Sequence, residues 1–198
     1  METDASLLNA ARTMDEDALV RIFERYASPL YKYAFRLCGD PIAADQIVGD
    51  VFVRLLEQLS AGNGPTANLR SYLYETTYHR IVDEARYAQR RVPLEAAQWL
   101  DQSADSPFVR LEDRIMFEEI LHAIRHVLTE DQRHVIILRF MEEFSLRETA
   151  AIMGRTIDHV KVIQLRGIAA LRKFLDDQRM RKAVTSPKVR KLPKTFGI

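Results

Sequence analysis

Between Leu19 and Leu37 the apolar residues return at steps of three and four, as Leu19, Ile22, Phe23, Tyr26, Leu30, Tyr33 and Leu37. An α-helix gathers that set on one face, whereas a strand, with its period of two, would scatter it over both. Ile47, Val48, Val51, Phe52, Leu55, Leu56 and Leu59 carry a second helix; Leu69, Tyr72, Leu73, Thr76 and Tyr78, leading to Ile81 and Val82, carry a third. Seven glycines and seven prolines are few for 198 residues, so composition also favours helices over a sheet. The expected fold class is all-α.

Local signals mark where helices begin and end. Thr13 and Glu16 have capping-box spacing at the start of the first helix, which spans about residues 15–37. Gly39 stops it, and Asp40-Pro41 starts the next with a side-chain cap and a proline at the first position. Residues 60–68, with Gly62, Gly64 and Pro65, form a loop before the third helix. Periodicity is lost from residue 92 to about 110, where Pro93, Ser103, Ser106 and Pro107 accumulate and Trp99 is a potential anchor. It returns in Ile115, Ile120, Leu121, Ile124 and Leu128, followed by capping boxes at Thr129/Gln132, before Val135, Ile136 and Leu138, and at Ser145/Glu148. The expectation is two small helical domains, residues 1–91 and 115–176, joined by a flexible acidic linker over 92–114 and followed by a basic tail over 177–198.

The net charge is +1, but residues 1–17 hold five acids against one base, and residues 178–198 hold seven bases and no acid. A nearly neutral chain with uneven charge can still offer basic faces to nucleic acid. The single cysteine, Cys38, excludes an internal disulfide framework and reads as a small packed side chain in a cytoplasmic protein. No signal segment or bilayer-spanning apolar run is read, so no membrane association is expected. Phosphate-loop, nucleophile-elbow and dinucleotide-binding glycine patterns are absent from the sequence. His122 and His126 share a helix face without the spacing of a zinc site, so neither a metal, a cofactor nor a catalytic constellation is expected.

Residues 145–166 have the spacing of a helix-turn-helix. Ala150 is small enough for two helices to cross, and Gly154, four residues on, can take the left-handed turn. Thr156 caps the second helix, Val160 and Ile163 turn inward, and Asp158, His159, Lys161, Val162 and Arg166 point outward. Arg155, Lys161, Arg166, Arg172 and Lys173 supply charge for phosphates, and base reading belongs to the N-terminal part of the helix. Spacing alone also allows two ordinary helices meeting at a glycine turn, with the bases as a solvated face.

A three-helix unit, an acidic linker and a helix-turn-helix, in that order, resemble the sigma-70 family of RNA polymerase sigma factors, specifically its small extracytoplasmic-function (ECF) group. The similarity covers about residues 15–175 and is most specific at 128–140, LTEDQRHVIILRF, which resembles the domain that reads the promoter −35 element. Gly39-Asp40-Pro41, the run DQIVGDVF from Asp45, LRSYLY from Leu69 and Ile81-Val82-Asp83 resemble the domain that binds polymerase and opens the −10 element.

The resemblance implies a promoter-specificity factor with core RNA polymerase, through its β′ coiled coil and β flap, and promoter DNA as partners. Arg155, Thr156, Asp158, His159, Lys161, Val162 and Arg166 would face −35. Asn63, Tyr72, Tyr78, His79, Arg80, Asp83 and Arg86 would handle the opened −10 strand, where aromatics can stack on bases and arginines follow phosphates. Taken by themselves, Tyr72 and Tyr78 read as core or interface aromatics. Asp45, Gln46, Asp50 and Arg54 would contact the β′ coiled coil. The chain departs from the family pattern at Gln46, where an acid is usual, at Gly49, where glutamine is usual, at His79, where asparagine is common, and in the apolar Val162 and Leu165.

The acidic linker would thread the polymerase cleft, or serve only as a solvated spacer. Sigma factors of this group are often held by an anti-sigma protein, and no residue here identifies one. The competing expectation, a free-standing helix-turn-helix regulator, predicts binding to a palindromic duplex without polymerase.

Overall fold

The computed structural model describes residues 3–88 and 111–185; within them, the side chains of 87, 88, 111–118, 179 and 181–185 fall outside the description. The described residues form eight helices and no strand: α1 Asp4–Ala11, α2 Glu16–Cys38, α3 Pro41–Ser60, α4 Leu69–Ala88, α5 Leu111–Val127, α6 Glu130–Phe140, α7 Leu146–Ile152 and α8 Ile157–Thr185. The fold is all-α, as the periodicity predicts.

Several expected helix ends are present with their mechanism. Gly39 closes α2 with a left-handed φ of 71°, and the Asp40 carboxylate accepts from the amides of Ile42 at 2.8 Å and Ala43 at 3.2 Å. Capping boxes at Thr129/Gln132 and Ser145/Glu148 open α6 and α7.

The start of α2 differs. Its cap is Asp15, whose carboxylate accepts from the Ala18 amide at 2.8 Å, while the Thr13 hydroxyl donates to the Ala10 carbonyl. Met14, in the left-handed region at φ 58°, makes the turn that leaves Asp15 rather than Thr13 at the helix end. Preceding it, α1 is a helix that the periodicity did not announce. Thr3 caps it, Leu7, Leu8 and Ala11 are fully buried, and Asp4 takes hydrogen bonds from Arg25 at 2.7 Å and from the Tyr26 hydroxyl.

Helices α1 to α4 pack on one another, and α5 to α8 form a second group in which α8 crosses α5, α6 and α7. The two groups also touch, α4 against α7 and α2 against α5 and α6, so one apolar core runs from Leu7 to Ile163. Phe23 and Leu56, counted on core faces, are instead exposed. Helix α5 begins at Leu111, inside the expected linker 92–114, and α8 continues to Thr185, inside the expected tail 177–198. Linker residues 92–110, including Pro93, Glu95, Trp99, Asp101 and Asp105, and tail residues 186–198 lie outside the described residues.

Candidate nucleic-acid interface

The turn between α7 and α8 is built by three local devices. Ser145 Oγ accepts from the Glu148 amide at 3.2 Å while the Glu148 carboxylate accepts from the Ser145 amide at 2.7 Å, and these bonds hold the Glu148 carboxyl below its ordinary value. Gly154 sits at φ 60°, a conformation that favours glycine. Thr156 Oγ1 then accepts from the His159 amide at 3.2 Å and opens α8. Ala150, Val160 and Ile163 are buried between the two helices.

That packing leaves Thr156, Asp158, His159, Lys161, Val162 and Arg166 exposed together on α8. Two expected readers are held by carboxylates. Arg155 pairs with Asp131 of α6 at 3.1 Å, and Lys161 pairs with Asp158 at 3.1 Å. Val162 and Leu165, 42% and 67% exposed, give the same face an apolar element suited to a thymine methyl group.

A second site lies between α3 and α4. Arg54, Gln58, Tyr72, His79, Arg80 and Asp83 line a cleft of about 470 Å³. It joins an aromatic face to cationic side chains, the combination that suits unstacked bases and bare phosphates. Arg80 is bound to Asp50 across the two helices, and Arg86 lies 3.9 Å from Asp83 near the end of α4. Asn63 is exposed in the loop beside this region, its amide donating to the Gln58 carbonyl at 2.9 Å. Gly64 packs closely on Leu59: a Cβ there would lie 2.6 Å from Leu59 Cδ2 and 3.3 Å from its Cα, so Leu59 would have to shift.

Tyr78 is not in the cleft. It is 7% exposed and its ring lies between that of His79, with centroids 5.3 Å apart, and that of His134 of α6, edge-on with centroids 4.7 Å apart. His134 is itself buried, hydrogen-bonded through Nδ1 to the Tyr33 hydroxyl at 2.9 Å, and its Nε2 has no hydrogen-bond partner. Burial, helped by the neighbouring Arg133 charge, lowers its pKa to about 3. Tyr78 therefore stands here as an interface aromatic.

The four residues expected at the polymerase divide. Asp45 and Gln46 are exposed on α3, on the same stripe as Gly49 and the apolar Ile42, Val53 and Leu56. Asp50 and Arg54 turn toward α4, where Asp50 holds Arg80 and Arg54 lines the cleft. Sequence reasoning missed Ile42 and Val53 as surface groups. It also placed Phe23 in the core, although Phe23 is 51% exposed with its ring 4.8 Å from that of Phe52. Hydrophobic periodicity cannot separate a core face from a docking face, since both are apolar at helical spacing.

A third feature was also unannounced: an apolar groove of about 640 Å³ between α5, α6 and α8, lined by Ile120, Ile124, Ile136, Phe140, Ile168 and Leu171. Among the described residues no cluster of three or more His, Cys, Asp or Glu side chains is arranged to hold a metal. The rings of His122 and His126 pack on each other, with centroids 4.2 Å apart. Among the same residues no helix is long and apolar enough to cross a membrane.

Comparison with known proteins agrees with this geometry. Residues 22–91 match the family "Sigma-70 region 2" and residues 126–173 match "Sigma-70, region 4". The chain is 23% identical over 173 residues to the ECF RNA polymerase sigma factor BldN of Streptomyces coelicolor, covering 86% of this chain and 65% of BldN. It is 27% identical over 166 residues to the ECF RNA polymerase sigma factor SigX of Bacillus subtilis, covering 81% of this chain and 85% of SigX. Among solved structures, CnrH in complex with the cytosolic domain of CnrY is similar with a TM-score of 0.67 and 20% identity, covering 89% of this chain and 99% of CnrH. The sigma factor RpoE of Bartonella quintana, in complex with the anti-sigma factor NepR, is similar with a TM-score of 0.63 and 22% identity, covering 79% and 95%. With region 2 and region 4 present in order on one helical chain, the protein belongs to the sigma-70 family, in its ECF group.

Proposed function

We propose that this chain acts in the cytoplasm as the promoter-specificity subunit of RNA polymerase, leaving the chemistry of RNA synthesis to the core enzyme. The observation that carries this is the pairing of two different surfaces suited to nucleic acid on one chain, the α3/α4 cleft, where Tyr72 and His79 stand beside Arg54 and Arg80, and the helix-turn-helix of α7/α8. A free-standing regulator has no need of the first.

Residues 1–91 serve as the polymerase-binding and −10 domain, 92–114 as the linker, 115–176 as the −35 domain and 177–198 as a basic extension. The exposed stripe of Asp45, Gln46 and Gly49 with Ile42, Val53 and Leu56 suits the β′ coiled coil, and the apolar groove of α5, α6 and α8 suits the β flap. Tyr72, His79 and Arg80, with Arg54 beside them, handle the opened −10 strand, assisted by Asn63, Asp83 and Arg86. The exposed residues of α8 read −35. CnrH and RpoE are each seen with a partner protein, which supports an anti-sigma protein as a partner here as well.

Run-off transcription with core polymerase on genomic fragments tests this reading. Initiation at selected promoters, dependent on the added chain, is the expected result. Binding of a palindromic duplex without polymerase, and no initiation with it, would overturn it.

A further inference from the structure

The groove between α5, α6 and α8 is apolar and open. Phe140, the last residue of α6, is 55% exposed at it, and Ile124 of α5 and Ile168 of α8 line the walls on either side. Its volume of about 640 Å³ is in the range that encloses a whole ligand, roughly 300–1,000 Å³. A small polar ligand also needs several convergent polar groups to orient it. The only charged side chains lining the groove are Arg172 and Asp176, both on α8, and the rest of the lining has no hydroxyl or amide side chain. Apolar side chains carried on a peptide fit such a wall.

The sequence that follows α8 has them. Residues 186–198, SPKVRKLPKTFGI, set Val189, Leu192, Phe196 and Ile198 among Lys188, Arg190, Lys191 and Lys194, with no acid. Pro187 and Pro193 oppose a helix there and favour an extended chain.

The lengths match. From Leu175 to Thr185, α8 rises about 15 Å at 1.5 Å per residue. An extended chain turning back from Thr185 covers that in about five residues, so Arg190 to Leu192 come level with Leu175. Ile168 lies about 10 Å farther back along the helix, a span that about three or four extended residues bridge, as from Leu192 to Phe196.

The charges match as well. Asp176, at the groove, and its neighbour Asp177 are exposed on the side nearer Thr185. A returning chain passes them with Lys188, Arg190 and Lys191 before its apolar residues reach the groove, and Arg172 lies one turn deeper, beyond that basic run. Tethering adds an effective concentration on the order of millimolar, so contacts too weak to retain a free peptide suffice within one chain.

We propose that residues 186–198 dock back along α8 into the groove of α5, α6 and α8, with Leu192 and Phe196 as anchors and Asp176 and Asp177 receiving the basic run. The β flap would take the same groove, so core polymerase would displace these residues; that consequence, unlike the docking, rests on the promoter-subunit reading.

The test is a distance measurement between nitroxide labels on the full chain carrying Cys38→Ser, Lys173→Cys and Thr195→Cys. The expected distribution is short and narrow for this parent. It should be broad for Leu192→Ser with Phe196→Ser, and for Phe140→Ser, which alters the groove at an exposed position. Met180→Ser, at an exposed apolar residue of α8 that does not line the groove, should match the parent. Excess core polymerase should broaden the parent's distribution. A parent as broad as the variants, or a Leu192→Ser/Phe196→Ser chain that superposes on the parent, would overturn the docking. So would a short distance found only between two chains carrying one label each, which would put the segment on a second copy. A narrow distribution that persists in a transcribing complex would instead leave the docking standing and remove the β flap from this groove.

Discussion

The rings of Tyr78 and His134 meet edge-on with centroids 4.7 Å apart, although one belongs to α4, in the stretch that matches Sigma-70 region 2, and the other to α6, in the stretch that matches region 4. The histidine is reached by the Tyr33 hydroxyl from α2 and by Tyr78 from α4, and Arg133 is its charged neighbour on α6. No carboxylate appears among the groups that shift its titration, and its Nε2 is unpartnered.

Acid should therefore loosen this contact. His134 has a folded pKa of about 3, below its ordinary 6.5, so a buried neutral ring gives way to a charged one wherever it meets water. The stabilisation is intact above about pH 6.5 and is lost as the pH falls from there toward 3, at about 1.4 kcal/mol per unit. Thermal melts at pH 7.5 and 5.0 should differ by roughly 2 kcal/mol from this group. His134→Gln should flatten that dependence; an unchanged pH profile in the variant would assign the effect elsewhere.

On the helix-turn-helix, replacing Lys161 and Arg166 together by alanine should reduce −35-dependent initiation by tenfold or more, taking about 1–3 kcal/mol for each good base contact. The check is single-round transcription on templates with intact and scrambled −35 sequences. Both side chains are exposed, so melting temperature should hold. Equal promoter choice by the double variant would remove these residues from the recognition face.

Gly49 is mid-helix and exposed, with nothing within 4 Å of where a Cβ would stand. Gly49→Ala should stabilise α3 by about 0.5–1 kcal/mol and raise Tm by a few degrees. Gly49→Gln, the residue usual in the family, should be accepted without steric cost, and its polymerase affinity reports directly whether this stripe is the docking face.

Gly64 is the opposite case. An alanine there would press on Leu59 at both Cδ2 and Cα, so Gly64→Ala should cost about 1–3 kcal/mol and displace the loop that carries Asn63. Denaturation measures the first effect, and permanganate footprinting of the −10 region measures the second.

Deleting residues 183–198 removes four bases and no acid. If they contact phosphates, the slope of log affinity against log salt should fall by up to about 3.6. An unchanged slope would show that the extension does not touch DNA.

The helix ends were legible because their causes are local. Gly39 with Asp40, Thr129 with Gln132, Ser145 with Glu148, and Gly154 with Thr156 each act within a few residues. Thr13 was misread because Asp15 offered a second acceptor at the same spacing, and the left-handed Met14 decided between them. Helix α1 escaped notice because its eight residues show barely two turns of pattern, and its docking through Leu7, Leu8 and Ala11 is tertiary.

The site was legible in part. Tyr72, His79 and Arg80 share the cleft as their spacing on one helix suggests, but Tyr78 belongs to another face of α4. Asp50 and Arg54 face α4, where Asp50 holds Arg80 and Arg54 lines the cleft, and only the packing of α3 on α4 shows which way they turn. Glu142 drew no attention in the sequence. Its partners Arg36 and Tyr74 lie 106 and 68 residues away, and no local pattern encodes such a pairing.

Helix α8 runs unbroken for 29 residues, about 43 Å at 1.5 Å per residue. The rod that carries Lys161 near its start therefore also fixes the bearing of whatever is attached at its far end. A helical partner fused in frame at Thr185 would be carried at a set azimuth around the promoter, each inserted residue turning it by about 100°. Insertions of one to four residues would step such a fusion around the duplex like the hand of a dial, while the DNA-reading end stayed where it was.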